Sequence, residues 1–241
     1  KIKWTGYFLL VKVLKMPRIP RGLSNGLVYH VLNRGNGKQC VFHKDRDYKS
    51  FIDLMKEAKR RYFVKLFAYC LMPNHFHIIL MPVQAEDLSK WMQWLMTSHV
   101  RRYHRYYGTS GHIWQGRFKS FVIQEDIHLL MALRYVEGNP VRAGLVRSAK
   151  DWPWSSHGEV IGERSRLLVD EVSLELPDRW DRYVNESITG KELERLNQSV
   201  NRQSPYGNPE WQKQISRKLG LESSIRPRGR PRKNKREYVK K

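Results

Sequence analysis

Three sets of side chains have the types and spacing to do chemistry. The first is His75-Phe76-His77, at the start of HFHIILMP. On a strand, residues two apart face the same way, so both imidazoles project from one face and Phe76 from the other. Two neutral imidazoles side by side form half of a divalent-metal site. Nine histidines in 241 residues also produce one such pair by chance in roughly one sequence in three, so surface histidines are the competing reading. The second set is Tyr135 with Asn139 in LRYVEGNPVRAGLV. Four residues on a helix bring phenol and amide to one face, although Asn139, between Gly138 and Pro140, sits where the helix should end. A phenol can act as a nucleophile; a helical tyrosine is also an ordinary core-edge residue, and the chain has twelve tyrosines.

The third set is cationic. Arg117 and Lys119 alternate with Phe118 in WQGRFKS, Arg101, Arg102 and Arg105 line the end of a helix, and Arg34 closes the first strand. Such groups hold a phosphate backbone and carry little sequence information. The run Arg228-Gly229-Arg230-Pro231-Arg232-Lys233 is flat and extended enough for a narrow A·T-rich minor groove; a generic basic tail is the alternative. The whole chain has 45 Lys and Arg against 23 Asp and Glu, a formal charge of +22. That balance predicts a polyanionic partner and salt-sensitive binding, without separating DNA from RNA or from an acidic membrane surface.

To position these groups the chain needs regular elements, and its pattern supplies them. Leu27 to Arg34, Val64 to Met72 and His75 to Pro82 have the β-branched and aromatic content of strands, with Pro73-Asn74 turning between the last two. Asp45 to Arg61 and Glu86 to Tyr107 have the spacing of amphipathic helices. Gly111 to Gln124 is expected as a hairpin with Phe118 to Gln124 as its second arm, followed by a helix over Asp126 to Val136. The order predicts an α+β fold, a ferredoxin-like or RRM-like antiparallel sheet with helices on one face, leaving the other face free for nucleic acid. Beyond it, Asp151-Trp152-Pro153-Trp154-Ser155-Ser156 predicts an apolar clamp and a Ser-capped short helix, and Thr189 to Val200 and Pro209 to Leu219 predict two more helices. The division expected is an amino-terminal extension of uncertain role over 1–16, a core over 17–150, a helical extension over 151–222 and a disordered basic tail over 223–241. Met16-Pro17-Arg18 looks like a better beginning than Lys1.

An apolar fraction of 40% with 12% aromatic residues argues against wholesale disorder. Cys40 and Cys70 are isolated, so no disulfide framework or CxxC pattern is visible, and a cytoplasmic setting is expected. Tyr7 to Leu14 is apolar but interrupted by Lys12 and too short to span a bilayer.

In their order, YHVLNRGN, AYCLMPNHFHIILMP, HIWQGRFKSFVI, LRYVEGNPVRAGLV and DWPWSS resemble the REP-associated tyrosine transposases, single-tyrosine relatives of the insertion-sequence transposases among the HUH endonucleases. The resemblance spans about Pro17 to Ser156, and the later GNPEWQKQISRKLGLESSIRPRGRPRK is similar to the family's carboxyl end. It implies that His75, His77 and Asn139 are ligands of Mg²⁺ or Mn²⁺ and that Tyr135 is the nucleophile. The reaction implied is cleavage and rejoining of single-stranded DNA beside palindromic-repeat hairpins, through a 5′-phosphotyrosine. The partner implied is hairpin-bearing single-stranded DNA, at the nucleoid, with the protein a monomer or homodimer. Two other classes compete: a non-catalytic or domesticated nucleic-acid-binding protein of RRM-like architecture, and a zinc hydrolase built on the histidine pair, which needs further ligands on successive strands.

Overall fold

The computed structural model describes residues 21–226. Segments rich in β-branched and aromatic residues form strands β1 (Val28–Arg34), β2 (Val64–Met72), β3 (His75–Pro82) and β4 (Lys119–Ile123). They pair antiparallel in one sheet in the order β2-β3-β1-β4. Helix α1 (Asp45–Arg61) joins β1 to β2 and α2 (Ala85–Tyr107) joins β3 to β4, which is the split βαβ, ferredoxin-like topology expected from the sequence. The first arm of the expected hairpin is absent: residues 111–118 form a loop whose one β-bridge, Gly35 to Trp114, lies just past the end of β1. Ile113, Trp114 and Phe118 all turn into the core, which a strand's alternation does not permit, and Gly111 and Gly116 bend the loop at φ values of 94° and 126°.

Both faces of the sheet are apolar, and each has its own cover. On one face Tyr29, Val31, Phe76, Ile78 and Leu80 pack against Phe51 and Met55 of α1 and Leu88, Trp91 and Leu95 of α2. The opposite face, expected to be open, is roofed over much of its area by α3 (Ile127–Glu137). Leu129, Ala132, Leu133 and Val136 of that helix meet Val28, Cys70, Ile79 and Phe121. A sheet face carrying those side chains cannot stay in water, and β2 is apolar along nearly its whole length because it is buried on both sides. The uncovered part of this face lies at the ends of β1 and β3, around Arg34, His75 and His77.

A one-turn helix, α4 (Asn139–Arg142), follows α3 within the expected core, and the helical extension consists of α5 (His157–Val160), α6 (Trp180–Asn185), α7 (Gly190–Arg202), α8 (Pro209–Leu219) and α9 (Glu222–Ile225), the last running past the expected boundary at 222 into the segment expected to be disordered. The extension closes both sheet edges. Along β2, the Leu71 N–H donates to the Trp154 carbonyl (2.9 Å) and the Ser156 N–H to that of Tyr69 (2.8 Å). Along β4, the Tyr206 N–H donates to Val122 (2.8 Å) and its carbonyl accepts from Gln124 (2.9 Å), so neither edge is left as a template for another chain. The apolar clamp forms: Trp154 stacks on Tyr48 at 5.0 Å and the Trp152 indole donates to the Leu71 carbonyl at 3.0 Å. Ser156 does not cap α5; its hydroxyl donates to Glu137 at 3.0 Å, because a buried carboxylate is the stronger acceptor. Among the described residues no helix is long and apolar enough to cross a membrane.

Candidate active site

β1 and β3 are neighbours, with Arg34 opposite His75, Leu32 opposite His77 and His30 opposite Ile79. Alternation turns His75 and His77 to the α3 face and Phe76 to the other, where its ring meets Phe51 at 5.4 Å and Trp114 at 5.3 Å. That fully buried ring pins the register of the strand, and so the direction of both histidines. The turn before β3 fixes the first imidazole: the Asn74 side-chain oxygen sits 2.6 Å from His75 Nδ1. An amide oxygen only accepts, so His75 is protonated on Nδ1 and its Nε2 lone pair is left over.

His77 is buried, and its Nδ1 lies 2.8 Å from Nε2 of His30, a fully buried residue of β1. For His77 to offer a lone pair at Nε2, its Nδ1–H must donate to His30, which places the His30 proton on Nδ1, an atom with no partner. All three rings are held uncharged. Burial lowers His30 to about 3, burial and then Arg34 lower His75 to about 4, and burial with the neighbouring His30, His75 and Arg142 lowers His77 well below the usual value.

Helix α3 brings Tyr135 to the same place. It starts at Asp126, whose carboxylate accepts from the His128 N–H at 2.8 Å. The phenol ring stands edge-on to His77, with centroids 5.6 Å apart and planes at 89°. A cavity of about 480 Å³ opens here, lined by His75, His77, Tyr135, Arg34, Arg117 and Lys119 among others, with residues 200 and 201 of α7 at one side. It contains three cations and no carboxylate, which suits a phosphodiester. The Arg142 guanidinium lies 4.2 Å from the Tyr135 ring centroid and donates to the Tyr135 carbonyl. Burial raises the phenol's pKa and Arg142 opposes the rise. Gly138 leaves room for this contact, since a Cβ there would stand 3.0 Å from the Val184 carbonyl and 3.1 Å from the Arg142 guanidinium.

Asn139 opens α4 and is 9% exposed, its Nδ2 buried without a partner. It lies outside the residues that line the cavity. Arg101, Arg102 and Arg105 are exposed near the end of α2 and do not line it either. Arg228, Arg230, Arg232 and Lys233, like residues 1–16, lie outside the described residues. Among the described residues no group of three or more His, Cys, Asp or Glu is placed to hold a metal, so the further ligands that a zinc hydrolase needs are not there. The two histidine Nε2 atoms supply part of a donor set for a divalent ion that keeps its other positions for water or phosphate, and Asn139 does not line the cavity with them. The sequence reading assigned no role to His30 or Arg142. Neither has a local signal: the Arg142 contact with Tyr135 needs the helix to break at Gly138, and for His30 only the β1–β3 register supplies one.

Behind the cavity α3 is tied to the extension. Glu137, fully buried, accepts from the Trp180 indole (2.8 Å) and from Ser156 (3.0 Å) and pairs with His157 Nδ1 (2.7 Å). His157 Nε2 pairs in turn with Asp181 at 2.8 Å.

Comparison with known proteins places this geometry in context. The family described as "Transposase IS200 like" matches residues 24–139. A protein of Haemophilus influenzae, named as a candidate REP-associated tyrosine transposase, is 32% identical over 130 residues, covering 48% of this chain and 73% of that one. The solved structure of a REP-associated tyrosine transposase bound to a REP hairpin superposes with a TM-score of 0.51 at 20% identity, covering 73% of this chain and all of that one. At that identity the likeness is one of fold.

Proposed function

Because this chain belongs to the IS200-like transposases, among the REP-associated tyrosine transposases, we propose that it cuts and rejoins single-stranded DNA beside palindromic-repeat hairpins, with Tyr135 as nucleophile. The observation that carries this reading is the edge-on approach of Tyr135 to His77 inside a cavity whose charged residues are all cations. The Tyr135 oxygen attacks the scissile phosphorus; its bond to phosphorus forms as the P–O3′ bond breaks, and the phenol proton leaves to solvent while the 3′ oxygen gains one. The products are a 5′-phosphotyrosine and a free 3′-hydroxyl. Another 3′-hydroxyl reverses the exchange, so one phosphodiester replaces another and rejoining needs no ATP.

Each residue has a part in that exchange. Arg34, Arg117 and Lys119 hold the strand and neutralise its phosphates. Arg142 favours the phenolate over the phenol. His75 and His77 would hold Mg²⁺ or Mn²⁺, with Asn139 as the third ligand that the family resemblance implies, and imidazole ligation favours Mn²⁺. Such an ion supplies Lewis-acid polarisation of the phosphoryl oxygens.

The test is incubation of the full chain with a hairpin-bearing single strand and Mn²⁺, followed by denaturing electrophoresis. A covalent protein–DNA adduct is expected, absent from Tyr135→Phe. Tight, salt-sensitive binding with no adduct from intact protein, or an adduct that persists in Tyr135→Phe, would overturn the proposal.

A further inference from the structure

A second, larger cavity lies across the loop from the histidines. It is a groove of about 790 Å³ between α2 and residues 111–118. Met92, Met96 and Val100 of α2 form one wall, and Ile113, Trp114 and Phe118 the other. Met92, Ile113 and Trp114 belong to the buried core, so the floor is a fixed surface. The rim is cationic: Arg21, Arg101 and Arg117 line it, with no Asp or Glu, and the Arg21 guanidinium lies 3.9 Å from the Phe118 ring centroid. The indole N–H of Trp114 is buried without a partner, a donor that calls for an acceptor.

The groove and the histidine cavity share a wall. Gln115, Arg117 and Lys119 line the cavity, whereas Ile113, Trp114, Gly116 and Phe118 line the groove, and Arg117 borders both. The segment between them is one chain thick. It is held to β1 and the turn after it by Gln115 N–H to the Arg34 carbonyl (2.8 Å), Asn36 N–H to the Ile113 carbonyl (2.8 Å) and the Asn33 amide to the Gly116 carbonyl (3.0 Å). A strand that leaves the cavity over Arg117 therefore enters the groove directly.

An apolar floor with an anion-seeking rim asks for a ligand with a flat uncharged face and a phosphate on its edge. An unpaired nucleotide has both, and stacking on apolar and aromatic side chains tolerates any base. We propose that this groove is a binding subsite for unpaired nucleotides flanking the scissile phosphodiester, with bases against the Met96–Phe118 walls and phosphates on Arg117 and Arg101. The proposal rests on the DNA-cleaving reading above and adds where the flanking strand runs.

The experiment uses the full chain with two probes: a hairpin carrying an unpaired flank, and the same hairpin without it. Met96→Glu and Val100→Glu each put a carboxylate into the groove at half-buried positions. Each is expected to weaken binding of the flanked strand about tenfold or more, the scale of a lost stacking contact, and to leave the flank-free hairpin unaffected. Independently, 5-iodouracil in the flank of the unaltered protein's ligand should photocrosslink to peptides spanning 92–100 or 113–118. Unchanged affinity in both variants, or crosslinks only elsewhere, would overturn the proposal and leave the groove to another occupant, such as the residues preceding Arg21. A normal Tyr135 adduct beside either result sinks the groove alone; groove crosslinks without any adduct sink the cleavage chemistry and keep the groove.

Discussion

His77 can offer Nε2 only while its Nδ1 proton is held, and the holder is His30 at 2.8 Å. Supporting partners of this kind orient a ligand histidine and are generally worth ten- to a hundredfold in metal affinity. His30→Phe keeps a planar ring in the site and removes the acceptor, so Mn²⁺ titration followed by electron paramagnetic resonance should show weaker binding by roughly that factor. His30→Gln, which can place an oxygen near the lost Nε2, should retain more of it. A folded His30→Phe protein with unchanged Mn²⁺ affinity would deny His30 this part. The histidine pair was legible in the chain because its signal is local, two places on a strand, whereas Tyr135, one tyrosine among twelve, was singled out by the family resemblance. His30 was not legible, because its partner stands 47 residues away and the two meet only through the pairing of β1 with β3. Arg142 fell between these cases; it stood in the quoted NPVRAGLV segment, but its contact with the Tyr135 ring depends on the break at Gly138.

The strands and α1 were readable nearly to the residue, since periodicity and turn chemistry are properties of short windows. The 111–118 loop was not, because three apolar side chains drawn into one core overrode an alternation that existed only on paper. Nor was the placement of α3, whose apolar surface demanded a partner that only the assembled sheet supplies. Placement of α3 matters because it positions Tyr135, the proposed nucleophile, and a buried polar cluster at Glu137 anchors it. His157 stands there between Glu137 and Asp181. Burial disfavours its charge, but the two carboxylates outweigh burial and its pKa is raised above 6.5. A raised folded-state pKa means the imidazolium's stabilisation is complete below about pH 6.5, the unfolded value, and is lost as pH rises through the folded one. Melting temperature measured against pH should therefore fall over that interval in the unaltered protein. His157→Gln should lack that fall and be less stable by about 3–5 kcal/mol at low pH, because Glu137 keeps a buried charge without its partner. Parallel profiles for the two proteins would show that His157 does not carry the dependence.

Across the molecule, the +22 charge announced a polyanion without saying where it lies. The structure divides the described cations by what they can reach. Arg34, Arg117 and Lys119 line the cavity with Tyr135, whereas Arg102 and Arg105 project from α2 outside it. Both groups can release counterions from a strand, since that effect needs only proximity to phosphate. In the proposed reaction only the cavity group can act on the phosphorus that Tyr135 would attack, because stabilisation of developing charge requires donors at the reacting atoms. Salt dependence and chemical rate should therefore separate. Replacing Arg34 and Lys119 together by Ala is expected to flatten the slope of log affinity against log salt by about 1.4, at about 0.7 per single-strand phosphate contact, and to slow adduct formation even when DNA saturates the protein. Replacing Arg102 and Arg105 together should flatten the slope by no more than that amount and leave the saturated rate unchanged. Binding titrations over a range of salt, paired with single-turnover adduct rates at saturating DNA, measure both quantities on the same preparations. If the α2 pair slowed the saturated step as much as the cavity pair, Arg102 and Arg105 would be acting on the exchange itself and not only on the bound strand, and the cavity would no longer mark the limit of the catalytic surface.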